Sequence, residues 1–229
     1  MIDHGHDLAC VHAATERLLI AVGKLDNASV TQPSRLPGWT RGHVLAHLAR
    51  NADALVNVLE GRPMYVSGEA RDADIERDAP RPLDVQLADL RESAARFQEA
   101  GAAPADWSRT VELRNGVTDS ASRVPFRRWV EVELHHVDLG IGYELEDLPA
   151  EFTEREIASL ADRFAGRPDV PPTRLTDSTR AWSTGRETDD GPDVTVTGSP
   201  ADLLGWLAGR RTGAALTVDG GPLPALPPL

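Results

Sequence analysis

Apolar positions recur at helical spacing through the first 143 residues and give way to alternation further on. In "HDLACVHAATERLLIAVGKL", Leu8, Val11, Leu18, Leu19 and Val22 line one helical face. "PSRLPGWT" breaks the pattern with Pro and Gly and reads as a loop. Thr40 is placed as an N-cap, and the spacing predicts a helix from Arg41 to about Glu60, stopped by Gly61 and Pro63. The polar "MYVSGEARDADIERDAPRP" reads as a loop over a bundle end. "LDVQLADLRESAARFQEAG" carries Leu83, Leu87, Leu90 and Phe97 on one face and reads as a third helix. "AAPADWSRTVELRNGVTDSASRVP" reads as a long connection, and "FRRWVEVELHHVDLGIGYE" as the fourth helix. Four helices joined this way predict an antiparallel or crossover four-helix bundle over residues 1–150.

The remainder, 151–229, reads as a small α+β domain. One more helix, "EFTEREIASLADRFAG", precedes the Thr- and Val-rich "TRLTDSTRAWSTG" and "PDVTVTGSP", which alternate as strands do. "SPADLLGWLAGR" offers Ser199 as N-cap with Pro200 at the first helical position, "AALTVDGG" reads as a last strand, and "PLPALPPL" as a loose end. The fold class is therefore mainly α, a bundle followed by a small α+β domain.

Composition narrows the partners. A net charge of −12 over 229 residues argues against nucleic acid and anionic membrane surfaces, which call for a basic patch. A few arginines focused in one pocket still suit a small anionic ligand. Cys10 is the one cysteine, so no intramolecular disulfide forms, and a reducing cytoplasm is the expected compartment. No apolar run is long enough to span a membrane, and "MIDHGHDLAC" lacks the basic and apolar segments of a signal peptide.

The chemistry sits on two helices. In "WVEVELHHVD", Val130, Leu134, Val137 and Ile141 form an apolar stripe. Glu131 and His135 are an i, i+4 pair about 100° around from it, and Asp138 continues their row. A carboxylate and an imidazole side by side at the edge of a buried face make half a metal site. The third ligand then comes from a facing helix. In "GHVLAHLARNAD", His47 shares a flank with Val44, Asn51, Leu55 and Val58, whereas His43 is rotated about 40° toward solvent. His47, Glu131 and His135 are thus the candidate two-His, one-carboxylate set. From spacing alone, His135 and His136 read equally as a solvated face, and His43 and His47 as a surface pair. His4, His6 and His12 lie near a terminus expected to be mobile.

"LPGWTRGHVLAHLARNAD", "FRRWVEVELHHVDLGIGY" and "GSPADLLGWLAGR", in this order, resemble the mycothiol-dependent maleylpyruvate isomerase family. The resemblance covers nearly the whole chain. It implies a DinB-like four-helix bundle with a divalent metal, usually zinc, held by His47, Glu131 and His135, and a small C-terminal domain. It also implies a catalytic role for Arg210, in the Trp-Leu-x-Gly-Arg segment. The implied partners are mycothiol and a small electrophilic, anionic substrate. The implied reaction is the cis–trans isomerisation of maleylpyruvate or a related unsaturated acid. A metal-bound thiolate adds to the double bond, which rotates as a single bond and re-forms on loss of the thiol, while Arg210 holds a substrate carboxylate and the enolate. A free thiol has a pKa of about 8.5 and needs such activation near neutral pH. A mycothiol S-transferase uses the same apparatus and is the alternative. A non-enzymatic metal-binding module is the third reading.

Overall fold

The computed structural model describes residues 3–186 and 191–228; Leu229, the last residue of the proline-rich tail, lies outside them. The chain divides into two units, residues 1–143 and 144–229.

The first unit is helical. Helix α1 (His4–Val22) starts with the Asp3 carboxylate accepting from the His6 amide at 3.0 Å. Its first turn includes His4, whose ring stacks on Trp107 at 4.2 Å. A short α2 (Asn27–Val30) leads to α3 (Arg41–Leu59). Beyond it come α4 (Gly68–Asp78), α5 (Leu83–Ala102), a hairpin of β1 (Thr110–Glu112) with β2 (Thr118–Ser120), and α6 (Val124–Asp138). The four long helices form the bundle. α1 packs on α5 and α6, and α3 packs on the same two. Consecutive long helices α1 and α3, and again α5 and α6, therefore stand across the diagonal. That is the crossover form of the bundle.

Three sequence expectations need correction. Residues 64–82 are not all loop. The Ser67 hydroxyl accepts from the Ala70 amide at 3.0 Å and starts α4, with Glu69 in its first turn and Arg77 in its last. Only Ile75 and Asp78 of α4 are buried, so no apolar stripe marks it. The stretch 102–125 contains the hairpin, whose turn uses Asn115 and Gly116 at φ 60° and 71°, the left-handed conformation this dipeptide favours. Helix α6 stops at Asp138. Gly140 turns the chain at φ 63°, and its amide caps the Val137 carbonyl at 3.1 Å. Ile141, counted in the apolar stripe, lies beyond the helix. Nor is α6 apolar on one stripe only, since Arg128, Glu133, His136 and Asp138 are buried along with Trp129, Val132, Leu134 and Val137.

The second unit is α+β. Helix α7 (Ala150–Phe164) packs on α8 (Pro200–Leu207), which is capped by Ser199 with Pro200 in its first turn. Strands β3 (Thr173–Thr176), β4 (Ala181–Thr184), β5 (Val194–Thr197) and β6 (Thr217–Asp219) form one sheet in the order β4-β3-β5-β6. β3 and β5 run parallel and the outer pairings are antiparallel. Leu175 and Val196 are paired in register and both buried, as the alternating pattern requires. No described helix is long and apolar enough to cross a membrane.

Candidate metal centre

The loop before α3 sets the meeting of α3 with α6. The Arg35 amide donates to the Asp138 carbonyl at 2.7 Å, and Arg41 Nε donates to the Leu139 carbonyl at 2.9 Å. Both bonds satisfy carbonyls left over at the α6 C-terminus, where a cation is also favoured. They hold the first half of α3 beside the last half of α6. The flanks that meet carry His47 on one helix and Glu131 and His135 on the other.

There His47 Nε2 lies 3.0 Å from Glu131 Oε2, and His135 Nε2 lies 3.2 Å from the same oxygen. The two imidazoles cross at 86° with centroids 4.7 Å apart. One ligand atom from each residue falls within 4.8 Å of the others, and among the described residues no other His, Cys, Asp or Glu group of three does this. His47 is buried, while the Glu131 side chain is 33 % exposed, so the cluster opens to solvent on the carboxylate side.

The surroundings tune each member. Burial pushes the His47 pKa down to about 4, against the opposing pull of Glu131. Burial by itself raises the Glu131 pKa, yet the hydrogen bonds from His135 and His47 carry it well below the usual range. His135 is raised: burial opposes its charge, but Asp138 and Glu131 together outweigh that. Asp138 is fully buried and accepts from His135 Nδ1 at 2.9 Å. Arg71 Nη2, from α4, lies 3.2 Å from His47 Nδ1. The Trp39 ring stands edge-on to His47 at 5.6 Å, and half-buried Tyr65 lies under the Arg71 guanidinium at 5.9 Å.

The other histidines go elsewhere. His43 completes a capping box, with its Nδ1 2.7 Å from the Thr40 hydroxyl and its Nε2 3.3 Å from Glu76. His136 faces away from His135, buried and stacked on Tyr143 at 4.0 Å, so the pair is not a solvated face. Cys10 lies on α1, which adds nothing to the cluster. Arg210 follows α8 in the second unit, where its Nη1 donates to the Ala208 carbonyl at 2.7 Å. The sequence reading passed over Arg71, because its segment reads as loop. It also passed over Arg128, although that residue stands three positions before Glu131 on the same row.

Residues 11–140 match the mycothiol maleylpyruvate isomerase N-terminal domain. The chain belongs to the mycothiol-dependent maleylpyruvate isomerase family. Residues 147–228 match the MDMPI C-terminal domain. Two solved structures, of the mycothiol-dependent maleylpyruvate isomerase and of its histidine-to-alanine variant, are similar to this chain at 29 % identity and a TM-score of 0.85. Each match covers 99 % of this chain and 97 % of the solved one. The family is thus named for an enzyme, and the likeness extends over both units. No curated protein matches the sequence.

Proposed function

We propose that the protein holds a divalent metal ion through His47, Glu131 and His135 and, with mycothiol, isomerises maleylpyruvate or a related unsaturated acid. The observation that carries this reading is the convergence of the three ligand atoms within 4.8 Å on a flank that opens at Glu131. Two imidazoles and one carboxylate, with a fourth position open, are the donor set of a catalytic zinc site.

The residues fit such an ion. A carboxylate accepts only, so His135 donates its Nδ1 proton to Asp138 and, once neutral, offers its Nε2 lone pair to the cluster. His47 needs one change. Arg71 donates to Nδ1 only while that nitrogen carries the lone pair, which leaves the proton on Nε2. To hold an ion through Nε2, His47 would carry its proton on Nδ1 instead, which would give up the Arg71 bond. Burial keeps His47 neutral, and so able to ligate, far below neutral pH. A bound ion supplies a positive centre that favours a thiolate over a thiol near neutral pH. Asp138 fixes the His135 ring, and Trp39 presents an aromatic wall beside His47.

The reading assigns Arg210 to a substrate carboxylate. Its support is that Arg210 borders a cavity of about 600 Å³ in the second unit, together with Trp206 and Leu223. Arg210→Lys is expected to keep metal and fold but to lose most activity, because an ammonium does not reproduce a forked contact.

The test is incubation of zinc-loaded protein with catalytic mycothiol and maleylpyruvate, following total thiol and product geometry together. The expected result is trans product with the thiol conserved. Stoichiometric loss of thiol makes the protein an S-transferase instead. Full turnover without any thiol overturns the proposal.

A further inference from the structure

The metal-facing row of α6 carries one more charged residue. Arg128 precedes Glu131 by three positions and His135 by seven, so the three share a helix face. Asn51 stands one turn after His47 on α3. The two helices bring it against Arg128 as they bring His47 against Glu131. Arg128 Nη1 donates to Asn51 Oδ1 at 2.8 Å and to the Leu48 carbonyl at 2.9 Å. The side chain is 1 % exposed. Its Nη2 is buried and has no hydrogen-bond partner among the described residues, and no described carboxylate forms an ion pair with it.

Such a group is expensive. A guanidinium offers five donors, and burying one with an unused amino group and no paired anion costs the fold more than an apolar side chain of similar volume. Burial does lower its pKa, to about 10, while Glu131, Tyr65 and Asp53 oppose the fall. It remains a cation at neutral pH, and the group that opposes the fall most is Glu131, the carboxylate of the cluster. A buried cation whose Nη2 goes unused and which no described carboxylate pairs directly leaves positive charge to act on what enters beside it.

We propose that Arg128 is the specificity-determining residue that makes this centre select carboxylate-bearing substrates, its buried guanidinium adding a fixed positive charge beside Glu131 whether or not an ion is bound. The inference rests on the cluster being the reaction centre. It adds a charge on the bundle itself to the arginine that the family resemblance places in the second unit. Arg128 acts through its field rather than by contact, so its role is that of a positioning residue for negative charge.

Two substitutions separate charge from shape. Asn51→Asp keeps the acceptor for Nη1 but neutralises the cation. Arg128→Lys keeps the cation but loses the fork. The probe is maleate, with its uncharged dimethyl ester as control, titrated by calorimetry into metal-free and zinc-loaded protein in the absence of thiol. Asn51→Asp is expected to weaken maleate binding about tenfold, the effect of one charge at short range in a partly buried site. Ester binding, zinc content and melting temperature should stay near wild type. Arg128→Lys should stay within about threefold of wild type for maleate. The reverse order, with Lys damaging and Asp harmless, overturns the proposal and makes Arg128 a structural tie between α3 and α6. Absence of maleate binding to the wild type also overturns it. A wild-type protein that binds maleate in this charge-dependent way but fails to isomerise maleylpyruvate sinks the functional reading and leaves this one standing.

Discussion

Gly42, the second residue of α3, is the position where adding one methyl group should do most damage to the centre without touching it. A Cβ there would lie 2.1 Å from the Ala79 carbonyl oxygen, 2.8 Å from Val30 Cγ1 and 3.1 Å from the Ala79 carbonyl carbon. A carbon rests at roughly 3.3 Å or more from a carbonyl oxygen, so α3 and the end of α4 must separate by about 1 Å. The Ala79 oxygen also accepts from buried Gln86 Nε2 at 2.9 Å, so its displacement strains a second contact. Two effects oppose each other in Gly42→Ala. Helix propensity favours alanine by about 1 kcal/mol. Overpacking costs about 1–3 kcal/mol and the disturbed hydrogen bond about 1 kcal/mol more. The clash wins, by about 2 kcal/mol. For a chain of this size that lowers the melting temperature by roughly 4–8 °C. His43 is the next residue, His47 lies little more than one turn on, and α4 brings Arg71 to His47. Zinc affinity should fall with stability. Thermal unfolding by circular dichroism and zinc competition with a chromophoric chelator measure the two. A melting temperature equal to or above wild type would show that propensity prevails and that the α3–α4 contact is looser than these distances say.

Other substitutions test the centre directly. Replacing His47, Glu131 or His135 by Ala should strip the metal on dialysis, whereas His136→Ala should retain it, and His43→Ala should retain it at a cost of about 1 kcal/mol for the lost cap; elemental analysis and melting curves decide, and an empty His43→Ala with a full His47→Ala would reverse the assignment. The metal-free protein should weaken in acid. His47 titrates at 6.5 unfolded and at about 4 folded, so between those values the unfolded chain binds more protons and stability falls as pH falls, by roughly 3 kcal/mol for this group. Glu131, depressed in the fold, adds to the loss at still lower pH, while the raised His135 works against it by stabilising the fold below 6.5. Denaturant titrations of wild type and His47→Gln from pH 7 to 4 should therefore converge as pH falls, and parallel profiles would refute the assignment of a buried neutral imidazole.

How much of this was legible depended on whether burial followed hydrophobicity. The choice of His47 over His43 came from a rotation of about 40° between residues four apart, and the row Glu131, His135, Asp138 came from the same period. Helices α3 and α6 are regular through these residues, so the flanks lie where that period puts them. Helix α4 escaped notice because caps and ion pairs hold it, Arg77 with Asp78 and Arg81 with Asp78 among them, rather than an apolar stripe. Arg71 was lost with it. The hairpin had its signal in Asn115–Gly116, but flanking strands of three residues are too short to alternate visibly. Arg128 and Glu133 read as surface charges because a sequence does not display the partners that make burial affordable. Those partners lie on other segments: Leu48 and Asn51 on α3 for the first, Arg17 on α1 and Tyr143 beyond α6 for the second.

Glu131 and Glu133 sit two positions apart and point roughly 200° around α6 from each other. Their partners, not the carboxylates, decide what each does. Glu133 is 1 % exposed and accepts from Arg17 Nη2 at 2.5 Å, Trp129 Nε1 at 3.0 Å and the Tyr143 hydroxyl at 2.8 Å. A guanidinium, an indole and a phenol offer it protons, and the first balances its charge, so nothing is left over for a metal ion. Among the described residues the side chains that hydrogen-bond Glu131 are the two imidazoles, and an imidazole that gives up its proton turns from donor into ligand. The same substitution should therefore have different consequences for zinc at the two positions. Glu133→Gln removes a charge-assisted bond that ties α1 to α6 and should cost about 1.5–3 kcal/mol while zinc binding persists. Glu131→Gln should abolish zinc binding, and at neutral pH it should also cost the metal-free protein the stability that the two imidazoles lend its carboxylate. Burial disfavours that carboxylate, but the bonds from His135 and His47 outweigh burial and hold its pKa well below the usual range. Denaturant titration and zinc competition on both variants form the comparison. Zinc binding retained in Glu131→Gln, or lost in Glu133→Gln, would make the His–Glu–His cluster a structural tie like that of Glu133, and would take away the argument that this flank is held in readiness for an ion.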